Sequence, residues 1–216
     1  MAQTSEKTKP AGRPKAKDAP VTPEQILDEA FRAFATYGYD GVAVRTLNRE
    51  LSVSHNLIHQ RFGSKQGLWY AAVDRAFSQQ IAELATAFDP TLADPLDQLN
   101  YAIRRFVHYS AEHPELLGLM NIEARVEGER LDYIYDNYVA PALAPLARLL
   151  EHLNENGRIR PISLRVLFFL IAHGAAAPFT LVPLARRFDK ADPLDPKQVD
   201  GQAELTADVI TGGLRL

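Results

Sequence analysis

Residues 52–65 read SVSHNLIHQRFGSK. The stretch is too polar for a core strand and too apolar for a linker. Ile58 and Phe62 stand four apart, about one turn of a helix, and Gly63 follows as a stop. Ser54 is placed to cap such a helix. With Ile58 and Phe62 turned inward, Ser54, His55, Asn56, His59 and Gln60 point outward. The expected element is a short helix whose exposed face carries only hydrogen-bonding heads.

The flanks explain what such a helix is for. Upstream, Thr22 and Pro23 fit an N-cap and a first helical position, and Ile26, Leu27, Ala30, Phe31 and Phe34 repeat at helical spacing up to a stop at Gly38. A shorter second helix carries Val44, Leu47 and Leu51, and Ser52-Val53 leaves a tight connection to the third. Downstream, Ser64 caps a long fourth helix with Leu68, Trp69, Ala72, Val73, Phe77, Ile81, Leu84 and Phe88 on its buried side. Three short helices with a tight second turn fit a helix-turn-helix head, whose third helix lies in the DNA major groove. Asn56 and Gln60 suit adenine edges, and Ser54, His55 and His59 can donate to base or phosphate oxygens. Arg45, Arg61 and Lys65 are placed to neutralise backbone phosphates. Thr46 and Leu57 are counted on the same contact surface. His55 and His59 also have the i, i+4 spacing of metal ligands, but no Asp, Glu or Cys in that helix completes a site, and neither metal nor cofactor is expected.

The rest of the chain also reads as helical. A fifth helix spans roughly Pro95 to Ala111, and Pro114 opens a sixth. A seventh runs from about Glu129 to Leu153 with Pro141 and Pro145 inside it, where proline forces kinks. Gly157 closes it. An eighth, Ser163 to about Ala176, is apolar nearly all round, which predicts burial on more than one side. Leu164, Leu167, Phe168 and Ile171 form one stripe for the core; Val166, Phe169 and Leu170 form another for a partner subunit. Pro178 and Pro183 interrupt the segment after it, and a last helix runs from near Pro196 to Gly212-Gly213. The expected fold is all-α with about nine helices: a basic arm over 1–20, a helix-turn-helix head over 21–66, and a helical body over 67–216.

Composition agrees with this division. Residues 1–75 carry 11 Lys+Arg against 8 Asp+Glu, while the remainder carries 13 against 19. A basic front suits a polyanion. Residues 1–20 hold no apolar run and are rich in Lys, Pro, Ala and Gly. They are therefore expected to be disordered when free and to contain no secretory leader. The absence of cysteine excludes disulfides and thiolate metal sites. The longest apolar stretch, Val166–Ala172, is far short of the ~20 residues that span a bilayer. No membrane contact and a cytoplasmic location are expected.

The stretch Thr22–Val73, TPEQILDEAFRAFATYGYDGVAVRTLNRELSVSHNLIHQRFGSKQGLWYAAV, resembles the head of the TetR family of bacterial transcriptional regulators from end to end. The matching features are the capped first helix, the aromatic-Gly-Tyr turn, the V-R-x-L second helix, the V-S turn and F-x-S-K-x-x-L. NENGRIRPISLRVLFFLIAHGA resembles the family's eighth-helix region, and the Gly-Gly-Leu end fits its closing helix. The sequence departs from the family at four places. Asn48 stands where alanine is usual, Ser52 where the turn glycine is usual, Asn56 where a small residue or proline is common, and His59 where a phosphate-contacting tyrosine is usual. A side chain in the left-handed conformation at Ser52 costs roughly 1 kcal/mol relative to glycine. His59 can donate a bond like that tyrosine's. These departures bear on the operator sequence and not on the fold.

The resemblance implies a homodimer through the eighth and ninth helices, binding a palindromic double-stranded operator, and a small-molecule effector held among the fifth to eighth helices. Repression is the commoner outcome in the family. Polar groups at otherwise apolar helical positions nominate the cavity: Tyr101, His108, Tyr109, Met120, Asn121, Glu123, Arg125, Tyr135, Tyr138 and His173, with Phe106 and Phe169 as aromatic wall. A lining so poor in charge suggests a hydrophobic or aromatic effector. Two other readings stand beside this one. A helical scaffold would bind protein instead of DNA, and a small helical enzyme would draw on His108, Glu123, Arg125 and His173 for acid–base work. No nucleophile elbow, phosphate loop, HExxH or dinucleotide fingerprint is present.

The arm AGRPKAK resembles the basic arms that precede the first helix in some family members, which enter the minor groove. Arg13 is expected to insert, with Lys15 and Lys17 on phosphates. Deleting residues 1–17 is therefore expected to weaken DNA binding and flatten its dependence on salt. Titration of both forms at several salt concentrations tests this; identical affinity and slope would remove the arm from the mechanism.

Overall fold

The computed structural model describes residues 21–54, 56–84, 89 and 91–216, and for 79–84 the backbone alone. The arm residues Arg13, Lys15 and Lys17, and His55, lie outside the described residues, as do the side chains of Ile81, Leu84 and Phe88.

Helix α1 (Pro23–Gly41) opens with a capping box: the Thr22 hydroxyl accepts the Gln25 N–H at 3.3 Å, and the Gln25 side-chain Oε1 accepts the Thr22 N–H at 2.9 Å. Gly38, at φ 72°, breaks the run where the sequence places the stop. Helices α2 (Val44–Glu50) and α3 (Leu57–Phe62) are joined by a turn in which Ser52 takes positive φ, 54°. The turn glycine's conformation is thus kept without the glycine. Ser54 does not cap α3. It stays in the connection, and its carbonyl, not its hydroxyl, receives the Leu57 N–H at 3.0 Å. Asn56 occupies the N-cap without a side-chain cap bond. Helix α4 (Lys65–Leu84) is capped by Ser64, whose hydroxyl accepts the Gly67 N–H at 3.0 Å. A Cβ on Gly67 would come 2.2 Å from the Phe62 carbonyl oxygen, so the sharp corner between α3 and α4 requires a glycine there.

The head shares its core with the body. Ile26, Phe34, Leu47, Ile58, Trp69 and Val73 belong to the same buried cluster as Leu116, Leu119, Ile134 and Tyr138. Helix α1 packs on α4 and also on α6 (Pro114–Glu123), which follows α5 (Pro95–Glu112). Asn48 is 1% exposed, so an amide fills the contact between α2 and α3 where alanine would be expected.

Prolines shape the rest. Helices α7 (Glu129–Ile134) and α8 (Ala140–Glu155) are joined by a π turn over Tyr135–Val139, in which the Ala140 N–H reaches back five residues to the Tyr135 carbonyl. Pro141 has no N–H to offer Asn137, and its ring crowds that carbonyl, so the kink expected there takes the form of a wider turn, whereas Pro145, where a second kink is expected, lies inside the continuous α8. The expected single eighth helix is likewise segmented. Helix α9 (Leu164–Phe169) passes into a second π turn, Leu170–Ala175, and Pro178 and Pro183 then each sit in the first turn of a short helix, α10 (Ala177–Thr180) and α11 (Val182–Phe188). Proline at that position lacks only an N–H that has no helical partner anyway, so it opens these helices and does not interrupt them. Helix α12 (Pro196–Leu214) runs through Gly212 and Gly213, neither of which takes positive φ. A second core joins α5, α8, α9 and α12 through Leu99, Ile103, Leu150, Leu153, Leu167, Ile171 and Ala207. Among the described residues no helix is long and apolar enough to cross a membrane.

Gly67→Ala is expected to lower stability by about 2–3 kcal/mol, because a backbone carbonyl must move to admit the methyl group. The midpoint of urea denaturation at fixed protein concentration measures it; an unchanged midpoint would show that the corner is soft.

Candidate nucleic-acid interface and effector cavity

Ile58 is 1% exposed and pins the underside of α3. On the opposite side Ser54, Asn56, His59, Gln60 and Arg61 are exposed, as is Arg45 at the start of α2, with Thr46 half-buried beside it. Leu57 packs partly against the core below. The result is a convex polar ridge with two guanidinium groups on it. Lys65 is turned back onto α1: its ammonium lies 4.5 Å from the Tyr39 ring centroid. The Arg130 guanidinium lies 4.3 Å from the same ring, and its Nε donates to Glu123 Oε2 at 2.9 Å. These cation–π contacts, with the buried Glu123 behind them, join the beginning of α4 to α6 and α7.

Two chambers open into the body. The inner one, about 80 Å³, is lined by Phe77, Phe106, Tyr109, Leu116, Tyr138 and their neighbours. The outer one, about 400 Å³, adds Asn121, Tyr135, Arg165, Phe169 and His173. Leu117, Met120, Val139, Leu143 and Phe168 wall both, so the two adjoin. The structure places Phe106, Tyr109, Met120, Asn121, Tyr135, Tyr138, Phe169 and His173 along these two chambers.

Four nominated residues lie elsewhere. His108 Nε2 is 3.6 Å from Asp200 on α12, and Tyr101, two turns earlier on the same flank of α5, lines neither chamber. That flank is a polar seam between α5 and α12, where Arg104 also meets Asp208 at 3.3 Å. Glu123 is buried against Arg130 at the head–body junction, and Arg125 is exposed beyond the end of α6. The acid–base quartet His108, Glu123, Arg125 and His173 is thus dispersed. Much of the wall, including Leu117, Leu143 and Phe168, carries no polar mark in the sequence to separate it from ordinary core. Arg165 does carry one: a lone charge in LRVLFFLIA.

Behind the inner chamber stands an acceptor on α4. Asp74 Oδ1 receives the Tyr138 hydroxyl at 2.5 Å and the Tyr133 hydroxyl at 2.6 Å. Burial, then the bond to Asp74, pushes both phenols above their ordinary range. The next residue, Arg75, grips Asp28 of α1 with Nε at 2.6 Å and Nη2 at 3.3 Å. This bidentate pair raises the Arg75 pKa through the hydrogen bond first.

A polar recognition ridge on a helix-turn-helix head, fused to a helical body with an internal cavity, defines a class of DNA-binding regulators. Residues 26–72 match the model for bacterial regulatory proteins of the tetR family, and residues 95–210, over half of the chain, match the tetracyclin repressor-like C-terminal domain. The chain belongs to the tetR family of bacterial regulatory proteins. It is 39% identical over 62 residues to the HTH-type transcriptional repressor Rv1474c of Mycobacterium tuberculosis, covering 29% of this chain and 33% of that one. It is 29% identical over 105 residues to the HTH-type transcriptional repressor SCO4008 of Streptomyces coelicolor, covering 49% and 50%. The chain thus spans a third to a half of the length of these curated relatives. In fold it is similar to the transcriptional regulator FadR from Bacillus subtilis, solved in complex with stearoyl-CoA. The TM-score is 0.63 at 18% identity, over 89% of this chain and 99% of that one.

Folding raises the Tyr133 and Tyr138 pKa values, so the folded state favours the protonated phenols. The stability they contribute is complete below the unfolded value of ~10 and is lost as pH rises beyond it. Unfolding midpoints measured upward from about pH 9 are expected to fall more steeply for the parent than for Tyr138→Phe. Parallel slopes would show that the phenol is not held this way.

Proposed function

We propose that this chain is a transcriptional repressor that grips duplex operator DNA as a homodimer and releases it when a small apolar effector fills the body cavity. The observation that carries this reading is the outward face of α3. Asn56, His59 and Gln60 are exposed above a buried Ile58, on a head whose core is continuous with the cavity-bearing body. Those side chains read base edges, while Arg45 and Arg61 meet phosphates and fix the register.

Two apolar faces support the dimer. Val166 (48% exposed), Phe169 (55%) and Leu170 (49%) form the stripe that the sequence sets apart from the core, and Leu205 and Val209 stand exposed on α12. Large apolar side chains exposed this way on two helices suit burial against a second copy. The two recognition helices must then sit ~34 Å apart, one turn of DNA, to read a palindrome.

The polar contacts behind the cavity supply the coupling. Tyr138 is both chamber wall and donor to Asp74 on α4, and Arg75 holds α1. An effector that moves Tyr138 draws on α4 and hence on the seat of α3. A 100-fold preference for the wider-spaced state corresponds to about 2.7 kcal/mol of coupling.

The test is anisotropy titration with DNA from beside the protein's own gene against random duplex of equal length. His59→Ala and Gln60→Ala are each expected to weaken specific binding about tenfold, in line with ~1–3 kcal/mol per base contact, and to leave binding to random duplex nearly intact. Equal losses on both duplexes would assign these residues to phosphate. No preference for the native fragment in the parent would overturn the repressor reading.

A further inference from the structure

The two chambers differ in what their polar groups are already doing. In the inner chamber the polar side chains are committed elsewhere. The Tyr138 hydroxyl donates to Asp74, and the Ser110 hydroxyl donates to the Phe106 carbonyl at 2.7 Å. His113 packs against the Tyr109 ring and lies 3.8 Å from Glu115. What this chamber offers a guest is carbon. In the outer chamber the pattern reverses. Arg165 makes no ion pair or hydrogen bond among the described residues, and neither Asn121 nor the Tyr135 hydroxyl has a hydrogen-bond partner among them. His173 has a ring stacked on Phe169 at 5.1 Å and no bond on its nitrogens among the described residues. All four can donate, one is a permanent cation, and no Asp or Glu lines either chamber.

From this asymmetry we infer that the effector is an anionic amphiphile. Its apolar tail lies along the shared apolar wall of Leu117, Met120, Leu143 and Phe168 toward the inner chamber, and its acidic head stays in the outer chamber against the Arg165 guanidinium. The inference rests on the proposed effector site and adds the chemical class, the orientation and the residue that selects the head. A guanidinium offers a carboxylate two parallel donors, with Asn121 and Tyr135 as further donors. A cationic head would meet Arg165 with no acid to offset the repulsion, and a neutral head would forgo the charge. The double π turn fits this arrangement: Tyr135–Val139 and Leu170–Ala175 both contribute to the outer chamber, through Tyr135 and Val139 on one side and Ala172 and His173 on the other.

The experiment uses the full chain with Nile red as a neutral cavity dye, displaced by decanoate, 1-decanol or decylamine at about neutral pH, each kept below its micellar range. Decanoate is expected to displace the dye at least tenfold more tightly than either of the others. Arg165→Gln is expected to bring decanoate to within about twofold of decanol in the same variant. A dye that binds the parent, with decanoate and decanol equal, overturns the anionic head and leaves the effector cavity standing. Absence of dye binding, or a dye that none of the three displaces, overturns the cavity reading itself. The comparison of three compounds on the parent needs no variant to fold.

Discussion

The constraint on which the rest depends is that the helix-turn-helix head has no interior of its own. Helices α2 and α3 are seven and six residues long, too short to hold a fold by themselves. Ile58 and Leu47 are buried only because α1 and α4 bring Phe34, Trp69 and Val73 over them, and those in turn pack toward Leu119 and Ile134 of the body. One core therefore sets both the presentation of the recognition face and the position of the helices around the cavity. Close packing makes such a unit respond as a whole: a shift of α4 is passed on to the side chains packed against it.

Polar contacts give that shared core its register. Apolar packing is non-directional, whereas the Asp28–Arg75 fork, the two phenols on Asp74 and the Glu123–Arg130–Tyr39–Lys65 contacts each have one good geometry. All three sets touch α4 or its first turn. Two of them reach a helix that lies against the cavity, so a change in the body can bias the position of the head.

The cavity owes its shape to the way helices accommodate proline and crowding. A regular helix from Glu129 to Glu155 would need an N–H that Pro141 lacks. The π turn that replaces it sets Tyr138 and Val139 into the chamber wall. The second π turn, ahead of Pro178, does the same for Ala172 and His173.

The sequence by itself determined whatever depends on near neighbours along the chain. The Thr22 N-cap, the stop at Gly38, the Ser64 cap, the inward Ile58 and the two stripes of the 164–171 helix were legible because spacings of three and four residues map directly onto helix faces. The left-handed turn at Ser52 was legible from the motif around it. The tertiary structure alone decided which polar residues face the cavity. Tyr101 and His108 have the same local signature as Tyr109, yet they lie on the flank of α5 that α12 covers. Glu123 shares a helix with Asn121, yet it turns to Arg130 on α7. A helix face is fixed by local periodicity, but what lies opposite that face is fixed by packing between segments as far apart as residues 108 and 200, and no local pattern carries that pairing.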